Sequence, residues 1–152
     1  MERIRKAEAK DAGRIAEIEV FNYRLNFYPI FKNDDFYFSD LQVLPLAQEY
    51  RKEIEERGEF FVYDDGAVKG FVRVGNGEIK KLFVEPVLQG RGIGAELLEY
   101  AAAHQAGCGL WALEKNTRAI AFYEKHGFVK SGKRKPEEDT DEYLIWLCKK
   151  EK

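Results

Sequence analysis

Three glycines at alternate positions, Gly90, Gly92 and Gly94, speak most directly to chemistry in this sequence. They stand between an apolar run ending at Val84 and a helical stripe beginning at Ile93. Without a Cβ, glycine lets the backbone come close to a ligand and take up positive φ. The first N–H groups of a helix lack internal partners and carry partial positive charge, so the expected guest is a phosphate or pyrophosphate. Arg91 adds a cation, and Gln89, Ile93 and Ala95 complete the segment. A tight strand-to-helix turn alone would need one glycine, not three.

Two nucleotide-binding patterns compete for this loop. The triphosphate-binding loop needs Lys followed by Ser or Thr after its last glycine, where Ala95-Glu96 stands. The dinucleotide fingerprint is met in letters by Gly90, Gly92 and Ala95, with Glu114 about 20 residues on. That loop, however, follows its strand at once, whereas Glu85 to Gln89 intervene here, and the chain offers one parallel strand pair instead of two repeated halves.

The elements that must hold this loop follow from periodicity. Ile4 with flanking charges predicts a short strand, and Ala12, Ile15, Ile18 and Leu25 repeat at helical spacing behind Asp11 as N-cap. Asn26 to Leu44 is aromatic-rich and irregular, and Leu46 to Arg57 predicts a helix stopped by Gly58. Strands Phe60–Tyr63, Val68–Val74 and Ile79–Val84 are separated by Asp64-Asp65-Gly66 and Gly75-Asn76-Gly77, which predicts an antiparallel meander. The Ile93 helix, a strand over Leu110–Leu113, a helix over Ala119–His126 stopped by Gly127, and a hairpin of Phe128–Ser131 with Tyr143–Leu147 complete the order. The charged run Lys133 to Asp141 with Pro136 reads as the hairpin loop. A crossover helix between strands makes the strands around the Ile93 helix parallel. The fold class is therefore mixed α/β (α+β), with one domain over 1–152.

Composition narrows the function. The net charge of −2, with 34% charged residues, gives no basic excess of the kind nucleic acid or an anionic membrane would attract. No apolar run approaches the roughly 20 residues of a membrane span, and the start lacks a signal-peptide core, so a cytoplasmic protein is expected. Cys108 and Cys148, with two histidines in the whole chain, make neither a disulfide framework nor a zinc site, so no metal is expected. His104 and His126 read as surface or helix-end residues, with His126 suited to a helix C-terminus.

Gln89-Gly90-Arg91-Gly92-Ile93-Gly94 resembles the central loop of the GNAT superfamily of acyl-CoA N-acyltransferases: Gln or Arg, two residues, Gly, one residue, then Gly or Ala. Leu82-Phe83-Val84-Glu85-Pro86 before it, and Asn116 through Phe128 after it, resemble the adjoining family blocks. The resemblance runs from about Glu59 to Val129. It implies a mostly antiparallel twisted sheet with one splayed parallel pair and helices on both faces. It also implies an N-acetyltransferase that moves an acetyl group from acetyl-CoA to a primary amine by direct attack, through a tetrahedral intermediate. The alternative is a non-catalytic acyl-CoA-binding sensor or interaction domain. The acceptor, a small-molecule or peptide amine, is left open, as is a homodimer.

By the same resemblance, Leu82, Phe83 and Val84 lie along the pantetheine arm, with main-chain groups of Leu82 and Val84 bonding it and polarising the acyl carbonyl. Asn116 and Tyr123, seven residues apart, share a helix face. The family's matching tyrosine protonates the departing thiolate, and a phenol of reference pKa about 10 facing a thiol of about 8.5 can do so. Asn116 reads equally as a helix N-cap, and Tyr123 as a core tyrosine. An amine attacks only as the free base, so a base is needed. Glu78 matches the position of a glutamate used so in some family members, about 13 Å along the strand from Leu82, which calls for ordered water. The acceptor site is expected at the aromatic cluster of Phe27, Tyr28, Phe31, Phe36, Tyr37 and Phe38, interleaved with Asp34, Asp35 and Asp40, and at Tyr143.

Overall fold

The computed structural model describes residues 2–104 and 109–150; Cys108 lies outside them. The chain divides into two compact units, Met1–Arg73 with Lys81–Leu98, and Val74–Lys80 with Glu99–Lys152. Strand β4, Glu78–Val84, contributes to both. Among the described residues seven strands run in the order β1-β2-β3-β4-β5-β7-β6.

In the first unit, β1 (Ile4–Lys6) pairs antiparallel with β2 (Phe60–Asp64), and β2 with β3 (Val68–Gly75). Helix α1 (Ala12–Asn22) turns Ile15, Ile18 and Val20 wholly out of solvent. Ile15 and Ile18 share a core with Tyr50 and Ile54 of α3 (Val43–Arg57) and Phe60, Val62 and Phe71 of the sheet, whereas Val20 packs with Tyr37 and Leu41. Gly58, at φ 64°, ends α3 in the left-handed conformation that an L side chain resists. Asp11 holds the N-cap position of α1 but makes no side-chain capping bond to it. It is the third residue of a preceding 3-10 turn, where its carboxylate accepts from the Glu8 N–H at 2.8 Å and from Arg5 at 2.8 and 3.0 Å.

The segment expected to be irregular is helical. Tyr23–Phe27 and Phe36–Asp40 are π-helical, with the short α2 (Tyr28–Phe31) between them. A π turn holds more residues than an α turn, so the aromatics fall out of the 3.6-residue period by which a helix is recognised.

In the second unit, Asn76 (φ 52°) and Gly77 (φ 74°) make the tight turn into β4, as Asn-Gly turns do. Strand β5 (Gly109–Leu113) runs parallel to β4, with Glu78 opposite Gly109, and the Gly109 N–H donates to Gly77 at 3.1 Å. Along its whole length β5 pairs antiparallel with β7 (Tyr143–Lys149). The predicted parallel pair is therefore present, and among the described residues its register is that one position. Helices α4 (Ile93–His104) and α5 (Thr117–Lys125) follow the predicted order. Strand β6 runs over Phe128–Pro136, so the first four residues of the expected loop are strand and the turn spans 137–142. As the edge strand, β6 carries Lys130, Lys133, Arg134 and Lys135 on exposed positions, a charge pattern that discourages edge-to-edge pairing, and a terminal Pro136 is tolerated there. No helix of the described residues is long and apolar enough to cross a membrane.

Candidate active site

The glycine loop is built by local chemistry. After Val84 the chain turns through a 3-10 segment, Pro86–Leu88, closed by the Leu88 N–H donating to Glu85 at 2.9 Å. Gly90 and Gly92 then adopt φ of 84° and 86°, and a Cβ at either would meet nothing within 4 Å. Gly90, Arg91 and Gly92 are exposed. The Gly92 carbonyl accepts the first bond of α4, from the Glu96 N–H at 3.1 Å. The amides of Ile93, Gly94 and Ala95 are thus helix-terminal donors, which by geometry have no acceptor inside the helix. The arrangement is one that can cradle an anion: two left-handed glycines with open space above them, an Arg, and the start of a twelve-residue helix.

Behind the cradle, β4 ends in a brace absent from the sequence reading. The Glu85 N–H donates to Lys69 of β3 at 2.9 Å, so the Val84 carbonyl, on the opposite side of the same trans peptide, points away from β3. It accepts from Asn22 Nδ2 at 2.9 Å and from Gln89 Nε2 at 3.2 Å. Gln89 Nε2 also donates to Asn22 Oδ1 at 3.1 Å, so the Gln89 side chain turns inward to the protein. Arg14 tethers the same turn from α1, donating to Val68 O at 2.7 Å and to the Glu85 carboxylate at 3.1 Å. The Val84 side chain is buried, and the half-buried Phe83 packs edge-on to Tyr23 and tilted against Phe71. Leu82 is half-buried.

Glu78, Asn116, Tyr123 and Tyr143 belong to the second unit. Glu78 sits at the β4–β5 pairing position and is half-buried. Asn116 is the N-cap of α5, its Oδ1 accepting from the Ala119 N–H at 3.2 Å. Tyr123 is half-buried, with Phe122 and Phe128 at ring distances of 5.5 and 6.2 Å. Burial pushes its hydroxyl up to about 12, so it stays protonated and remains a donor across neutral and mildly alkaline pH. At the head of β7, Tyr143 lies under Arg134, whose guanidinium is 3.6 Å from the ring centre and also grips Glu114 at 2.9 and 3.0 Å. His126 ends α5, and His104 stacks on Tyr100.

The aromatic cluster is brought together within the first unit. Tyr37 is buried as its hub, with Tyr28 at 5.8 Å and Phe36 at 4.9 Å, both edge-on, and Phe31 packed against the same cluster. The Tyr28 hydroxyl donates to Asp34 at 2.6 Å, which, with burial and the Asp34 charge, raises its pKa. Phe38 stays half-exposed under Arg24.

A second polar network also escaped the sequence reading. Glu19 on α1 is 1% exposed; it accepts from the Tyr50 hydroxyl at 2.6 Å and from Lys81 Nζ at 2.8 Å, while Lys81 also donates to Tyr50 at 2.7 Å. Both Glu19 and Asn22 stand among the buried positions of α1. A polar residue inside an apolar helical face is the one local sign that a distant partner is required.

Comparison with known proteins identifies the family and the fold. A family model described as an acetyltransferase (GNAT) domain matches residues 56–130. The peptidyl-lysine N-acetyltransferase YjaB of Salmonella typhimurium is 33% identical over 97 residues, covering 58% of this chain and 67% of that protein. The IAA acetyltransferase of Azospirillum brasilense is 33% identical over 119 residues, covering 75% and 74%. Among solved structures, apo YjaB from Escherichia coli superposes with a TM-score of 0.72 at 21% identity over 95% of each chain. The PaiA N-acetyltransferase of Thermoplasma acidophilum, in complex with coenzyme A, gives 0.70 at 19% identity over 99% and 100%. With its mixed, mostly antiparallel sheet, its single parallel pair and its glycine loop at the head of α4, the chain belongs to the GNAT family of acetyltransferases.

Proposed function

We propose that this acetyltransferase moves the acetyl group of acetyl-CoA to a primary amine by direct attack. The observation that carries the reading is the cradle at residues 90–95: paired positive-φ glycines, free of any atom where a Cβ would stand, leading straight into a helix N-terminus. Such a cradle fits a pyrophosphate, the group that coenzyme A presents. The main-chain amides of Gly90 to Ala95 would hold it, with Arg91 as counter-charge.

Acetyl-CoA supplies a thioester carbonyl open to nucleophiles. Toward it the chain offers the main chain of Leu82 and Val84, on a β4 edge whose orientation is set by the brace at Val84; donors oriented in advance stabilise developing negative charge on oxygen. Tyr123 serves as proton donor to the departing sulfur, a role supported by its retained proton. Glu78 takes the proton of the incoming amine through water, and Asn116 supports the cofactor side of α5 while capping the helix. Tyr28, Phe31 and Tyr37 shape the amine site, where aromatic faces and Asp34 suit a cation. A lysine side chain of a peptide, named in the relatives' activity, is one such amine.

Titration calorimetry with coenzyme A and NAD, followed by mass-spectrometric turnover of a panel of amines with acetyl-CoA, tests this reading. Coenzyme A is expected to bind 1:1 and NAD not to bind. Tight NAD binding without coenzyme A binding would overturn it, and coenzyme A binding with no turnover on any amine would favour a non-catalytic sensor.

A further inference from the structure

We propose that Asn22 is a positioning residue for the acetyl-CoA site, locking the end of β4 and the start of the glycine loop into one fixed relation. The inference rests on the acetyl-CoA reading and goes beyond it by assigning a role to a residue far outside the loop. Asn22 is 2% exposed, on the helix face it shares with the fully buried Ile15 and Ile18, seven and four residues before it. Burying an amide there is unfavourable unless its hydrogen bonds are made. They are made: Nδ2 donates to Ile18 O at 2.8 Å and Val84 O at 2.9 Å, and Oδ1 accepts from Gln89 at 3.1 Å and Asn26 at 3.2 Å.

The Val84 carbonyl faces the side on which a sheet would place the next strand, yet side-chain amides of Asn22 and Gln89 satisfy it. In extended backbone a residue's N–H and C=O point to the same side, so fixing this carbonyl also fixes the neighbouring Val84 N–H. Gln89 is the first residue of the loop, so one buried amide sets the pantetheine edge and the pyrophosphate cradle against each other. The π-helical turn begins directly after Asn22, a placement that often accompanies a functional constraint.

The test is a double-mutant cycle of Asn22→Ala and Gln89→Ala, reading coenzyme A affinity by calorimetry, KM for acetyl-CoA and for amine, and thermal melting. Each single variant is expected to weaken coenzyme A about ten-fold with amine KM within about two-fold, and the double variant to lose much less than the product, because both act on one carbonyl. A residue serving stability alone would move the melting point and leave the KM for acetyl-CoA unchanged. Should Asn22→Ala fail to fold, Asn22→Ser replaces it, while Gln89→Ala, on the half-buried loop, reads the same hold from the other end. Unchanged affinity in folded variants, or fully multiplicative losses, overturns the inference while wild-type binding upholds the acetyl-CoA reading. Absence of coenzyme A binding by the wild type overturns both.

Discussion

Lys81 on β4 donates a 2.8 Å hydrogen bond to Glu19 on α1, a carboxylate almost wholly withdrawn from solvent and also bonded by Tyr50. Burial and then the Glu19 charge hold the Tyr50 hydroxyl far above the usual phenol range, so the phenol stays neutral beside the Lys81–Glu19 ion pair. Removing one partner of a buried ion pair leaves the other uncompensated, at a cost of about 3–5 kcal/mol. Lys81→Met is expected to lower the free energy of urea unfolding by about that amount, and adding Glu19→Gln to recover part of it. Equal stability of Lys81→Met and wild type would show that the pair contributes nothing.

Gly92 sits at φ 86° with open space above it. Gly92→Val is expected to abolish coenzyme A binding, because the side chain occupies the cradle, with a stability cost of about 1–2 kcal/mol for the left-handed backbone. Calorimetry beside circular dichroism checks this: a folded variant of undiminished affinity removes the loop from the binding site.

Tyr123→Phe keeps the ring packing and deletes the proton. Turnover should fall by roughly ten- to a hundred-fold or more, with acetyl-CoA affinity retained. Glu78→Gln should instead slow the reaction most at low pH, where the amine is protonated, with the deficit closing as pH nears the amine's own pKa. Profiles of rate against pH that superimpose on wild type for both variants would assign catalysis to proximity and carbonyl polarisation alone.

Asp11 supplies an acid-side prediction. Its burial alone would raise the carboxyl pKa, but the Arg5 guanidinium and the Glu8 N–H outweigh it, and the folded value lies below the ordinary one. A depressed folded value contributes stability that is present above the unfolded pKa of about 3.9 and lost as pH falls through the folded value. Below about pH 4, wild type should lose urea stability more steeply than Asp11→Asn. Parallel curves for the two would dismiss the pairing with Arg5 as a stabilising element.

Gly109 pairs with Glu78 and lies against Trp146, where an added Cβ would come within 2.6 Å of the indole Cε2 and 2.9 Å of Leu147 O. Gly109→Ala should therefore cost about 1–3 kcal/mol through forced shifts, read as a lower melting temperature. An unchanged melt would mean that β5 accommodates the methyl without moving.

Whatever depends on neighbours along the chain was legible from the amino acids alone. Glycine's tolerance of positive φ marked the loop at Gly90 and Gly92, Asn76-Gly77 marked the turn into β4, and the spacing of Ile93, Leu97 and Leu98 marked α4. The parallel β4–β5 pair followed from the intervening helix. Tertiary structure alone decided the rest. Asn22 meets Val84 across 62 positions and Gln89 across 67, and Glu19 meets Lys81 across 62, so no window of sequence contains both partners. The aromatic stretch after Asn22 is helical, partly in a π period, with its aromatics clustered around Tyr37, and the charged run of β6 becomes strand because β7 supplies its hydrogen bonds. Local sterics write turns and helix ends into the sequence, whereas the partners of buried polar groups exist only once distant segments have been brought together.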